Sequence, residues 1–176
     1  ATTTVERRTL ESDAGASRTG GASSERGVAM RVLVLVKGTP RSEGEDLPSD
    51  ELEKLLAEMG AYNQRLVEAG ILVAGEGLHP SRRGKRVRFS DGATSVIDGP
   101  FVPPTELVAG FWIWQVASLD EALAWAQRCP HPMPGEEAVL ELRPIMEADD
   151  FGDEMTPELR AQEEALRARI DDEGTV

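Results

Sequence analysis

The sequence predicts an α+β fold: a ferredoxin-like βαββαβ unit with an inserted β-hairpin, paired as a dimeric α/β barrel and followed by a C-terminal helical tail. Three observations carry this expectation. Apolar runs and periodic stretches alternate in the order strand, helix, strand, hairpin, strand, helix, strand. An Asp-Gly pair, Asp91-Gly92, sits between two short β-rich runs, which is a strong hairpin signal. Finally, the first and third main strands carry large apolar side chains at odd and even positions alike, so both faces of a thin sheet need cover.

The first strand is RVLVLV at 31–36, a short apolar run rich in β-branched residues. Residues 37–48 read as turn chemistry with acids. A helix then runs from an N-cap at Ser49, with Asp50 and Glu51 at the positive end of its dipole, to Gly70 just past its end. Leu52, Leu55, Leu56, Met59, Leu66 and Val67 keep a helical apolar stripe. A second strand at 71–74 leads into Gly75-Glu76-Gly77-Leu78-His79-Pro80.

A two-residue turn at Asp91-Gly92 sets the hairpin register. It places Ser90 opposite Ala93, Val87 opposite Val96 and Lys85 opposite Asp98, so Val87, Phe89, Val96 and Asp98 share one face. The third main strand, AGFWIWQV at 109–116, places Phe111 and Ile113 on one face and Trp112, Trp114 and Val116 on the other. Ser118 to Glu121 reads as a capping box for a second helix that Pro130 stops, and AVLELR at 138–143 is the last strand. An exposed sheet face of this size predicts a homodimer closed through it.

Charge divides the 176 residues into three parts. Residues 1–29 hold four Arg and four acids with almost no large apolar group, and are expected to be disordered. Met30 reads as the original start of the domain, with the preceding arm either an added extension or a functional one. Residues 30–147 form the domain. Residues 148–176 hold three Arg against ten acids, an acidic tail with a helix expected at about 156–170, opened by Thr156 and Pro157. That helix docks on its own domain or its partner, or else the segment is a free acidic tail, or a binding element for another protein.

The net charge of -13 argues against a nucleic-acid binder. One cysteine, Cys129, excludes an internal disulfide framework and a Cys-based zinc cage. No apolar run approaches a membrane span, and a reducing cytoplasm is the expected location. The basic run Arg82-Arg83-Gly84-Lys85-Arg86-Val87-Arg88 is the local exception to the acidity. It reads as a solvated hairpin face, or else as a site for an anionic ligand or the acidic tail of a neighbouring subunit.

Asp98-Gly99-Pro100-Phe101, preceded by Gly75 to Pro80 and followed by Ala109-Gly110-Phe111-Trp112, resembles the DGPF branch of the YCII-related (YciI-like) proteins. The resemblance runs from Met30 to about Glu147 and includes Arg143-Pro144. It implies a dimeric barrel of ferredoxin-like protomers, and a bacterial context that in some members is linked to extracytoplasmic-function sigma factors. Most such proteins have no assigned activity, although wider relatives use a His and an Asp, one lineage to eliminate halide from chlorinated lactones. The sequence departs from the pattern after the motif, where Val102-Pro103-Pro104-Thr105-Glu106 replaces the usual small residue, Glu, variable residue and Lys.

His79 and Asp98 are the candidate catalytic residues. An imidazole titrates near neutrality, and a carboxylate on its second nitrogen would fix the tautomer and raise its basicity. Glu76, Gly77, Ser81, Gly99, Phe101 and Trp112 are the candidate ligand-binding residues. Three of them have a plainer reading: an exposed or structurally hydrogen-bonded loop His79, an Asx-type turn or Lys85 ion pair for Asp98, and a core or dimer-interface role for Trp112. No metal site and no cofactor are expected, since helical histidine pairs, phosphate loops and dinucleotide fingerprints are missing from the sequence. The expected function is a dimeric small-ligand-binding or regulatory module. The alternative is a cofactor-free enzyme whose His79–Asp98 pair moves a proton on a small carbonyl or lactone substrate.

Overall fold

The computed structural model describes residues 29–44 and 48–173. The expected disordered arm, 1–29, falls outside that range except for Ala29. A four-stranded antiparallel sheet is built from β1 (Met30–Lys37), β2 (Leu72–Gly77), β5 (Val108–Val116) and β6 (Leu140–Pro144) in the order β2-β5-β1-β6. Between β2 and β5 the chain leaves the sheet to form a separate hairpin of β3 (Lys85–Ser90) and β4 (Ala93–Asp98). Its register is the one the Asp-Gly turn predicts, with Lys85 facing Asp98, Val87 facing Val96 and Ser90 facing Ala93. Asp91 (φ 49) and Gly92 (φ 79) both take positive φ, which a two-residue type I′ turn requires.

The helices are α1 (Pro40–Glu43), α2 (Ser49–Glu68), α3 (Leu119–Ala126) and α4 (Pro157–Glu173). Strand alternation sends Val32, Val34, Val36, Trp112, Trp114 and Val116 into the core, where they meet Tyr62 and Leu66 of α2 and Ala122 of α3. Tyr62 donates to the Trp125 carbonyl at 2.9 Å, which satisfies its buried hydroxyl, and burial raises its pKa well above the ordinary tyrosine value. Leu33, Leu35, Phe111 and Ile113 alternate to the other face, where they remain partly exposed. An apolar second face is thus present in a single chain, as the strand composition predicts.

Several boundaries differ from expectation for local reasons. The stretch read as turn chemistry holds α1, capped by Thr39, whose hydroxyl accepts from the Ser42 amide while the Ser42 hydroxyl accepts from the Thr39 amide. Pro48, not Ser49, occupies the N-cap of α2, while Gly70 (φ 69) fills the left-handed position beyond its end as predicted. Ser118 caps α3, but Glu121 reaches back to the Ala117 amide rather than to its own cap, and the helix ends before Cys129. The tail forms α4 as expected. A 3-10 segment, Ala148–Glu154, precedes it and was not foreseen. No described helix is long and apolar enough to cross a membrane.

Candidate functional site

An apolar space lies between the first half of α2 and the sheet. The second half of α2 is pinned by the buried Tyr62 and Leu66, whereas Leu52 and Leu56 in its first half remain exposed and Leu55 and Met59 are only partly covered. Beneath that first half the sheet is thinned by glycines. Gly77 has nothing within 4 Å of where a Cβ would stand, so its missing side chain is open space. The resulting cavity, about 280 Å³, is lined by Val36, Leu55, Met59, Asn63, Gly77 and Trp112 among others.

One polar pair sits in this wall. Trp112 Nε1 donates to Asn63 Oδ1 at 3.0 Å, and Tyr62 meets the Trp112 ring edge-on at 6.1 Å. An indole nitrogen can only donate, so this bond fixes which end of the Asn63 amide faces it. The Asn63 amide nitrogen, carried by a cavity-lining residue, has no hydrogen-bond partner among the described residues. Two predicted ligand residues, Gly77 and Trp112, therefore line the cavity. Glu76 also borders it, but it pairs with Phe111, which places its carboxylate on the sheet face opposite Trp112.

Ser81, Gly99 and Phe101 meet elsewhere, at the base of the hairpin. Glu43 of α1 accepts from the Ser81 amide, at 2.9 Å to Oε2, and from the Ser81 hydroxyl. The same hydroxyl accepts from the Phe101 amide at 2.9 Å. A Cβ on Gly99 would collide with the Ser81 carbonyl oxygen, and the Gly99 amide donates to the Gly84 carbonyl at 3.1 Å. Arg86 lies over the Phe101 ring at 4.1 Å, and the Gly99-Pro100 peptide is cis. These three residues bind the hairpin base to α1, with the hydroxyl of Ser81 already used as both donor and acceptor.

The two candidate catalytic residues each face a cation. Arg83 Nη1 stands 3.2 Å from both ring nitrogens of His79, and Lys85 Nζ pairs with Asp98 Oδ1. Both residues are exposed, and no hydrogen bond joins His79 to Asp98 among the described residues. The described residues contain no cluster of three or more His, Cys, Asp or Glu arranged to hold a metal.

Sequence reasoning missed Asn63 and Glu43. Asn63 carries no local signal, because its role depends on an indole 49 residues away. Glu43 was legible in principle, since Thr39-Pro40 is a helix-start signature that would have put the acid on a first turn.

A curated, uncharacterized protein of Rhizobium meliloti (strain 1021) is 35% identical over 96 residues, spanning 54% of this chain and 77% of that protein. The sequence model of the YCII-related domain matches residues 30–148, which takes in the whole sheet, the hairpin and the cavity under α2. The chain belongs to the YCII-related domain family.

Proposed function

We propose that this protein is a small-ligand-binding module of the DGPF branch, with the ligand seated in the cavity between α2 and the sheet and two copies joined through the open sheet face. The cavity is the observation that carries the reading. It is mostly apolar, of a size for a small organic molecule, and its wall holds an amide nitrogen free to donate. The chemistry favours a compact, largely apolar ligand with one carbonyl-type acceptor placed for Asn63. The branch assignment rests on the Asp98 to Phe101 motif and the glycine-rich stretch before His79. The second copy is supported by Leu33, Leu35, Phe111 and Ile113, which stand in a row on the face away from the core.

Proton transfer by His79 and Asp98 is the less supported alternative, because each side chain is exposed and engaged by an arginine or a lysine instead of by the other.

Acetophenone, an aromatic ketone with one acceptor oxygen, is a suitable probe. Saturation-transfer NMR of the full chain is expected to show binding that competes with other small ketones and is lost in Gly77→Leu, which fills the cavity. Equal binding to the wild type and to a folded Gly77→Leu variant would overturn the reading.

A further inference from the structure

The hairpin stands apart from the rest of the fold. Among the described residues β3 and β4 pair only with each other, and every residue of the two strands except Ile97 is exposed. An isolated two-stranded hairpin is marginal in water. Yet this one shows Val87 (54% exposed), Phe89 (78%) and Val96 (64%) on a single face. Its surroundings are also the basic part of an acidic chain: residues 82–98 hold five cations against two acids. Lys85 is paired with Asp98. Arg82 donates to the Glu43 and Gly44 carbonyls, Arg83 stands against His79 and Arg86 covers Phe101. None of Arg82, Arg83, Arg86 and Arg88 has a carboxylate partner among the described residues.

The complementary surface lies at the other end of the molecule. A groove of about 330 Å³ runs between the 3-10 segment Ala148–Glu154 and α4, with Phe151, Met155, Leu159 and Leu166 as its apolar floor and Glu154 and Glu163 beside them. Phe151, Leu159 and Leu166 are each nearly half exposed, so the groove is unfilled. The segment 148–173 around it holds ten acids and three arginines.

We propose that the hairpin is an arm that docks in this groove on a second copy of the chain, with Phe89 entering the apolar floor and Arg88 meeting the acidic rim. Charge complementarity selects this occupant: the arm is the basic region of the domain, and the groove belongs to its most acidic segment. Geometry separates the arm from the groove of its own chain. The hairpin springs from the end of the sheet where Lys37 pairs with Val108, whereas the groove is tied to the opposite end through the ion pair of Arg31 with Glu147. Eight residues of β1, on the order of 25 Å, lie between those ends. Two copies related by a two-fold axis can exchange arms, giving two identical contacts. The proposal does not depend on the ligand cavity.

The test uses the full chain with Cys129→Ala, which leaves no other thiol. Phe89→Cys and Leu166→Cys are made separately, mixed, and treated with a short flexible bismaleimide. The expected product is the mixed crosslinked pair, formed in excess over both homodimers and suppressed by high salt. Sedimentation of the uncrosslinked chain carrying Arg88→Glu with Phe89→Ser is expected to show self-association weakened at least tenfold. Crosslinks in statistical proportion, or none, would overturn the proposal, as would unchanged self-association of the double variant. A stable dimer that survives with no mixed crosslink would leave the open sheet face as the interface and dismiss the arm. An arm that crosslinks only to an unrelated acidic protein would also refute it.

Discussion

Trp112 lies where the side chain of any larger residue at position 75 would have to stand. A Cβ on Gly75 would meet Trp112 Cδ1, with Nε1 3.1 Å away, and the indole cannot retreat because it is 7% exposed, bonded to Asn63 and packed against Tyr62. Neighbouring glycines in β2 therefore do opposite jobs. Gly75 admits the ring that walls the cavity, and Gly77 leaves the space that the cavity occupies.

That difference gives the first prediction. Gly75→Ala overpacks a fixed aromatic and is expected to cost roughly 1–3 kcal/mol. Gly77→Ala meets nothing within 4 Å and should fall within about 0.5 kcal/mol of wild type. Urea unfolding midpoints of the two variants, measured side by side, check both values. Equal losses would mean that the sheet tolerates no side chain on either glycine, and that the open space at Gly77 is not real.

A second prediction concerns the DGPF turn. At Gly99 the obstacle is the backbone carbonyl of Ser81, which has no rotamer to escape into. Gly99→Ala is expected to destabilise by roughly 1–3 kcal/mol and to loosen the hairpin base. Ser81→Ala removes the acceptor of the Phe101 amide and a donor to Glu43 while keeping the turn's shape. Its signature is local: the Phe101 amide should lose protection against hydrogen exchange while the β1 amides keep theirs. Uniform loss across the domain would show that Ser81 supports the whole core rather than the clamp.

How much of this could be read in advance follows from the range of each interaction. The hairpin register was legible because a two-residue Asp91-Gly92 turn leaves one pairing open, and the Lys85–Asp98 contact followed from it. The two-faced apolar strands were legible by alternation alone. The cavity was not. The stripe from Leu52 to Val67 is continuous in sequence, and nothing in its periodicity says that only the half around Tyr62 and Leu66 reaches the sheet core. The expected partnership of His79 and Asp98 depends on the same long-range placement. Both residues lie beside basic neighbours, Arg83 four positions on and Lys85 across a strand pair, and local cations took the contacts that a motif comparison assigned to a dyad.

Cys129 supplies a third prediction. Burial pushes its thiol up to about 11, so at pH 8 the thiolate is roughly one part in a thousand. Reaction with a disulfide reagent in the native protein should be roughly a hundredfold slower than in denaturant, where an ordinary cysteine pKa near ~8.5 is restored. Rapid native labelling would mean that the core around Tyr62 and Cys129 opens readily.

The last prediction follows the carboxylate that ties the tail to the sheet. Glu147 accepts from Arg31 Nε at 2.8 Å and from Arg167 Nη1 of α4 at 3.2 Å, so one side chain links the first strand to the final helix. The hydrogen bond from Arg31, and then the positive charges of Arg31 and Arg167, hold its pKa below the ordinary 4.5. A depressed folded-state pKa means that the unfolded chain takes up the proton first as pH falls. The stabilisation is therefore complete above about 4.5 and is lost as pH drops through the lower folded value. Because the side chain is 40% exposed, solvent and salt reduce the effect, and its place of action matters more than its size. Acidification should release α4 before the sheet unfolds, seen as a partial loss of far-ultraviolet helical signal with the tryptophan fluorescence of the core unchanged. Glu147→Gln should remove that early step by weakening the tether at neutral pH, and added salt should shrink it in the wild type. A single transition, with helix and core lost together in both proteins, would show that the tail is held by its Leu159 and Leu166 contacts and not by this charge.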